Sequence, residues 1–308
     1  MGLDRSPWKL RSTSAGLPQA APATAGPCGS ALVGQSPRMQ PDLSWTLSPG
    51  VLIGSALAAG VYVRRWRAVR RETAAHARTA PVWRLCSFMA AILTTVIALV
   101  SPVDALADQL FFAHMTQHVL LLDIAPILAI LGLTKALLRP VTRSVHDLER
   151  RAGFLAHPAF AVVLYVATIW AWHIPGAYDL AVTHSGVHVL EHLSFLLAGS
   201  LYWWHLLSPI RARRRLQGLG PVVYMASTKL LVGALGMGLA FAPSALYPYY
   251  VHHPRVWGIS AVDDQSIAGL TMAVEQSIVM GIALAALFIG ALTESERAQQ
   301  RRERYELA

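Results

Sequence analysis

Apolar residues in this chain come in long unbroken runs separated by short polar connections, a pattern of membrane helices rather than of half-buried strands. A hydrocarbon core about 30 Å thick takes about 20 residues of helix to cross. Seven stretches come near that length: Leu47 to Val63, Val82 to Val100, Leu110 to Leu133, Pro158 to His173, Val187 to Leu207, Pro221 to Phe241 and Ile267 to Leu292. Several contain Gly or Pro, which membrane helices tolerate because neighbouring groups satisfy the freed backbone. The expected fold class is therefore an all-α integral membrane protein, a bundle of about seven transmembrane helices over residues 47–292. Residues 1–46 are rich in Ser, Pro, Ala and Gly and read as a disordered tail, with Met39 as an alternative start; 293–308 read as a cytoplasmic tail.

Composition agrees with the pattern. The chain is 54% hydrophobic and 14% charged, against about a quarter charged in soluble domains. Its net charge of +9 would suit a nucleic-acid binder, but the distribution argues otherwise. Arginines crowd the connections after the first predicted span (Arg64, Arg65, Arg67, Arg70, Arg71), the third (Arg139, Arg143, Arg150, Arg151) and the fifth (Arg211, Arg213, Arg214, Arg215). The connections after the second, fourth and sixth hold Asp104, Asp108, Asp179, Asp263 and Asp264, with Arg255 as their basic exception. The positive-inside rule then puts the N-terminus outside and the C-terminus in the cytoplasm. The two cysteines, Cys28 and Cys86, form no CxxC motif or disulfide framework.

With that topology, eight of the twelve histidines lie toward the outer face: His114, His118, His173, His184, His188, His192, His252 and His253. Helical residues four apart share a face about 6 Å apart along the axis, so His114 and His118 form one chelating pair. His184, His188, Glu191 and His192 fall within an arc of about 100° if their helix reaches His184. Paired imidazoles at this spacing are the minimal unit of many metal sites. A lone HxxxH at an interface often serves only as polar packing; two such patterns with His173 at the same depth favour a site or a relay. His252 and His253 are as easily incidental. His76, His146 and His157 read as cytoplasmic surface residues, and His205 as an interfacial anchor. Asp123, Lys229 and Glu275 lie inside spans, where pairing of Lys229 with either acid is expected. The wheel turns Asp123 about 180° from His114. Met115, Met237 and Met272 lie toward the outer side, where thioethers with imidazoles suit Cu(I), although each taken singly suits core packing.

The blocks FFAHMTQHVLLLDIAPILAILG, WAWHIPGAYDLAVTHSGVHVLEHLSFLLAGSLYWW and LYPYY followed by DDQSIAGLTM resemble the CtaG-type cytochrome c oxidase assembly factors, over about residues 47–292. The resemblance implies a seven-helix protein of the bacterial cell membrane. It would not be an enzyme, and would mature a haem-copper oxidase by handling copper at the outer face. Carried over residue by residue, it covers His114, Gln117, His118, His173, His188, Glu191, His192, Asp264 and Gln265. The chain departs from the family pattern at Asp123 and after the DQ pair, where Ala268, Gly269, Met272, Ala273, Glu275 and Gln276 stand. The expected copper ligands are His114, His118, His188 and His192, with Glu191 and His173 behind them or as alternates. The expected partners are oxidase subunits, an extracytoplasmic copper chaperone and the lipid bilayer, with no nucleic acid. An alternative is an intramembrane zinc hydrolase, because His188-Val189-Leu190-Glu191-His192 matches HxxEH, two zinc-binding histidines and a water-activating glutamate. A third is a haem site clasped by His118 and His192.

Overall fold

The computed structural model describes residues 40–72, 78–210, 216 and 218–306. Residues 1–39 of the expected tail with Cys28 and Met39, His76, and Arg211, Arg213, Arg214 and Arg215 lie outside the described residues. Every described element is helical: α1 (Pro49–Glu72), α2 (Val82–Val100), the short α3 (Pro102–Ala107), α4 (Phe111–Gly132), a single turn α5 (Lys135–Leu138), the charged α6 (Thr142–Ala152), α7 (Pro158–Trp172), α8 (Pro175–Thr183), α9 (Ser185–Leu207), α10 (Gly220–Ala240), α11 (Pro248–His252) and α12 (Ala261–Glu306). Each of the seven apolar stretches is helix. Among the described residues, four helices are long and apolar enough to cross a membrane: α2, α4, α10 and α12. A fifth span arises if the segment Thr142–Ala156 and α7, bent by 65°, count as one. The arginine-rich end of α1 and the His- and Glu-bearing start of α9 give those two helices a more polar composition.

Proline and serine punctuate the chain where the physics asks for them. Pro102, Pro158, Pro175 and Pro248 open helices, where the missing N–H costs nothing. Ser101 caps α3 by accepting from Val103 N at 3.2 Å, and His157 Nδ1 caps α7 by accepting from Ala159 N at 3.1 Å. Inside α4, Pro126 has no N–H to give Leu122, and its ring would clash with that carbonyl in a regular helix. The helix winds wide just before it, as a π-turn over Leu120–Ile124. The displaced Leu122 carbonyl then lies against Gly199 of α9, where any Cβ would overlap it. A second close approach, Gly236 of α10 on Gly269 of α12, seats the longest helix against its neighbour.

The two ends of α4 are held by opposite charges. At its first turn, Asp264 of α12 accepts from Phe111 N at 2.7 Å and Phe112 N at 3.0 Å. At its last, Tyr62 donates to Gly132 O at 2.8 Å, and Arg84 donates to the Leu131 and Leu133 carbonyls. Arg65 reaches Ala136 O at 3.0 Å. An anion at a helix start and cations at its end match the helix dipole. An aromatic-rich core of Phe111, Tyr165, Tyr178, Phe195, Tyr202 and Trp203 fills the centre, and apolar side chains such as Leu93, Val163, Leu197 and Leu230 face outward. Residues 42–46 are tied to the end of the bundle where α4 begins: Asp42 N donates to Gln109 and Thr46 Oγ1 to Asp104.

Candidate metal centre

The first turns of α4 and α9 put their histidine faces against each other. His114 and His118, one turn apart on α4, sit with rings at 4.4 Å between centroids. On α9, His188 and His192 repeat the motif at 4.2 Å. Across the interface His114 lies 5.2 Å from His188 and 6.1 Å from His192, and His118 lies 5.7 Å from His192. Glu191 projects between the pairs, with Oε2 3.6 Å from His114 Nε2 and Oε1 3.5 Å from His118 Nε2. One donor atom from each of His114, His118, Glu191 and His192 falls within 4.8 Å of the others, and all four residues are buried.

This arrangement is poorly satisfied without a cation. Among the described residues, neither nitrogen of His114 or His118, neither oxygen of Glu191, nor Nε2 of His188 or His192 has a hydrogen-bond partner. Each buried polar atom left in that state costs about 1–3 kcal/mol. Three imidazoles and a carboxylate are a donor set for Zn or Cu, so the residues fit a metal on their own chemistry. His188, half-buried beside the exposed Ser185 and Gly186, is the least enclosed of the four histidines. Tyr178 packs 5.1 Å from His114 and joins Phe111, Tyr247 and Tyr250 in a lid of aromatic rings. Outside the spans, burial pushes the Asp108 carboxyl up, helped by Asp104 and Asp42 and opposed by His253. Burial likewise raises the Tyr249 hydroxyl, with Asp108 adding to it. Asp42, Asp104 and Asp108 lie near one another above the histidines, and carboxylates placed there would raise the local concentration of cations.

The other expected positions separate. His173 lies 6.4 Å from His118, ring to ring, and its Nε2 faces Met115 Sδ at 3.2 Å. His184 is the exposed cap of α9, its ring turned to Thr183 and Leu180. His252 and His253 fold back onto carbonyls of their own turn.

The family model for cytochrome c oxidase caa3 assembly factors (Caa3_CtaG) matches residues 60–294. The chain belongs to this family. It is 27% identical over 238 residues to an uncharacterized protein of Mycobacterium bovis, covering 71% of this chain and 35% of that one. An uncharacterized protein of Mycobacterium leprae is 23% identical over 277 residues, 82% of this chain and 40% of that one. The chain thus spans well under half the length of these curated relatives. No solved structure matches it.

In this chain the motif residues outside the cluster act on helix position. Gln117 donates to Ala98 O and to Asp104, both at 2.7 Å, and fixes the rotation of α4. Gln265, beside the capping Asp264, accepts from Leu246 N at 2.7 Å and donates to Leu239 and Ser244 carbonyls at 3.3 Å. Deeper in, Asp123 lies outside the four-residue cluster, as its place on the wheel relative to His114 implies, yet it shares a cavity with His118. The wide turn removes about one residue's rotation, so Asp123 comes about 40° from His118 rather than about 140°. The two line one cavity with Glu275 and Gln276. Asp123 accepts from Tyr165 Oη at 2.8 Å, Trp203 Nε1 at 2.6 Å and Gln276 Nε2 at 3.0 Å. Lys229 donates to Ser277 at 2.7 Å on the exposed face and interacts electrostatically with Glu275, one of the two acids it was expected to meet. Tyr165, Trp203 and Gln276 were invisible as partners in the sequence, having no spacing signal to link them to Asp123.

Proposed function

We propose that the protein assists assembly of a haem-copper cytochrome c oxidase in a bacterial cell membrane, taking copper at the outer face and passing it to an oxidase subunit docked alongside. The convergence of His114, His118, Glu191 and His192 within 4.8 Å, in a member of this family, carries the reading. The topology that goes with it is seven spans, with the N-terminus outside and 293–308 in the cytoplasm. Copper arrives as cargo from an extracytoplasmic chaperone, drawn by these carboxylates, and meets His188 first. His114, His118 and His192 then supply neutral nitrogens, and Glu191 supplies the negative charge that offsets the ion in a buried site. Metal-ligating histidines held tightly usually have their second nitrogen hydrogen-bonded. Among the described residues those of His114 and His118 are not, which suits a site that must release its ion.

The test is copper content and affinity of detergent-purified protein beside a His118→Ala/His192→Ala variant, with zinc as competitor, followed by oxidase maturation in cells carrying each form. Stoichiometric copper in wild type, lost in the variant together with oxidase activity, is the expected result. No copper in either protein, or zinc held in preference to copper, overturns it and favours the zinc-hydrolase alternative. In that alternative Glu191→Gln abolishes activity while sparing the metal; here it weakens metal binding less than the histidine pair does.

A further inference from the structure

Just inward of the four-residue cluster, two soft donors face each other in a way that no hydrogen bond explains. His173 Nδ1 lies 2.7 Å from Ile169 O. A carbonyl only accepts, so Nδ1 carries the proton and Nε2 carries the lone pair in the neutral ring. That lone pair points at Met115 Sδ from 3.2 Å, and a thioether sulfur has no proton to offer. A cationic ring would resolve the contact. Yet His173 is 6% exposed, and among the described residues no carboxylate lies within ion-pair distance of it, so a charge there would be desolvated and unmatched.

The same side chains line a cavity of about 20 Å³ together with His118 and Met272, with Asp123 and Glu275 also on its wall, room for roughly one water-sized particle. Thioether sulfur with imidazole is the donor set that selects Cu(I) over zinc and over hard cations. We propose that Met115 Sδ and His173 Nε2 form a second metal site, selective for Cu(I), with Met272 or His118 completing the coordination. It deepens the copper reading and rests on it for the identity of the cargo. The carboxylate-containing cluster above accepts either copper or zinc, whereas this deeper site discriminates by softness. His118 lines both, so an ion moves between them by exchanging one ligand at a time.

The experiment is Cu K-edge X-ray absorption on the full chain, purified in detergent and loaded anaerobically with Cu(I), alongside equilibrium dialysis against Cu(I) and against Zn(II). Wild type is expected to show a sulfur scatterer next to copper and to bind one more equivalent of Cu(I) than of zinc. Met115→Leu should lose both the sulfur signal and the extra equivalent, with zinc stoichiometry unchanged. Copper bound by nitrogen and oxygen alone in wild type, or a sulfur signal undiminished in Met115→Leu, overturns the second site and leaves the outer cluster standing. No copper binding at all overturns both. If Met115→Leu does not fold, wild-type chain carrying selenomethionine decides at the selenium edge: a copper neighbour supports the site, and its absence rejects it.

Discussion

At the scale of single residues, the sharpest constraint is Gly199. A methyl group there would overlap the Leu122 carbonyl oxygen and carbon, both backbone atoms of the π-turn. Backbone cannot rotate away as a side chain can, so Gly199→Ala should cost about 3 kcal/mol or more, the upper range of overpacking. Gly233, with nothing within 4 Å of an added Cβ, is the control: Gly233→Ala should be neutral or gain up to about 1 kcal/mol from helix propensity. Thermal unfolding of the two purified variants separates the cases, and equal midpoints would mean that α4 and α9 do not approach as described. The imidazole cluster was legible in the sequence because its residues repeat at helical spacing on two segments. The Met115 and His173 pair was not, since two single residues on different helices have no period to betray them.

At the scale of elements, α4 carries half of the cluster, and its outer end is set by another helix. Phe111 and Phe112 N–H groups are among those that a helix start leaves without intrahelical partners, and Asp264 takes both. Removing that cap with Asp264→Ala should cost about 1–2 kcal/mol and loosen the turn that bears His114. Copper affinity should therefore fall although Asp264 is no ligand. Asp264→Asn keeps an acceptor oxygen and should retain most of both. Calorimetric unfolding and copper titration of the two variants check this; equal affinities in Ala and Asn would remove the positioning role. The boundaries of α2 and α4 followed their apolar runs nearly to the residue, whereas α1 runs on to Glu72 and α12 extends from Ala261 to Glu306, past both ends of its run. The sequence carried the cause of the π-turn in Pro126, but a wheel drawn at uniform pitch cannot register it. That single wide turn is why Asp123 joins His118 in one cavity instead of pointing away from it.

For the whole molecule, orientation follows from how charge divides between the two ends. Arg84 sits on the carbonyls that end α4 and Arg65 on the Ala136 carbonyl of α5, on the side where α6 carries Arg143, Arg150 and Arg151. Asp104, Asp108 and Asp264 sit at the opposite end, above the histidines. Under the proposed topology, with positive loops retained in the cytoplasm, the histidine cluster faces outside, within reach of an extracytoplasmic donor. A cysteine-free background made by Cys28→Ser and Cys86→Ser allows this to be read in intact cells. Ser185→Cys, exposed beside His188, should react with a membrane-impermeant maleimide at once. Ser144→Cys, exposed on α6, should react only after the membrane is opened. The reverse pattern would put the histidines on the cytoplasmic side and remove any hand-off to an outward-facing oxidase site, while leaving the metal chemistry of the cluster untouched.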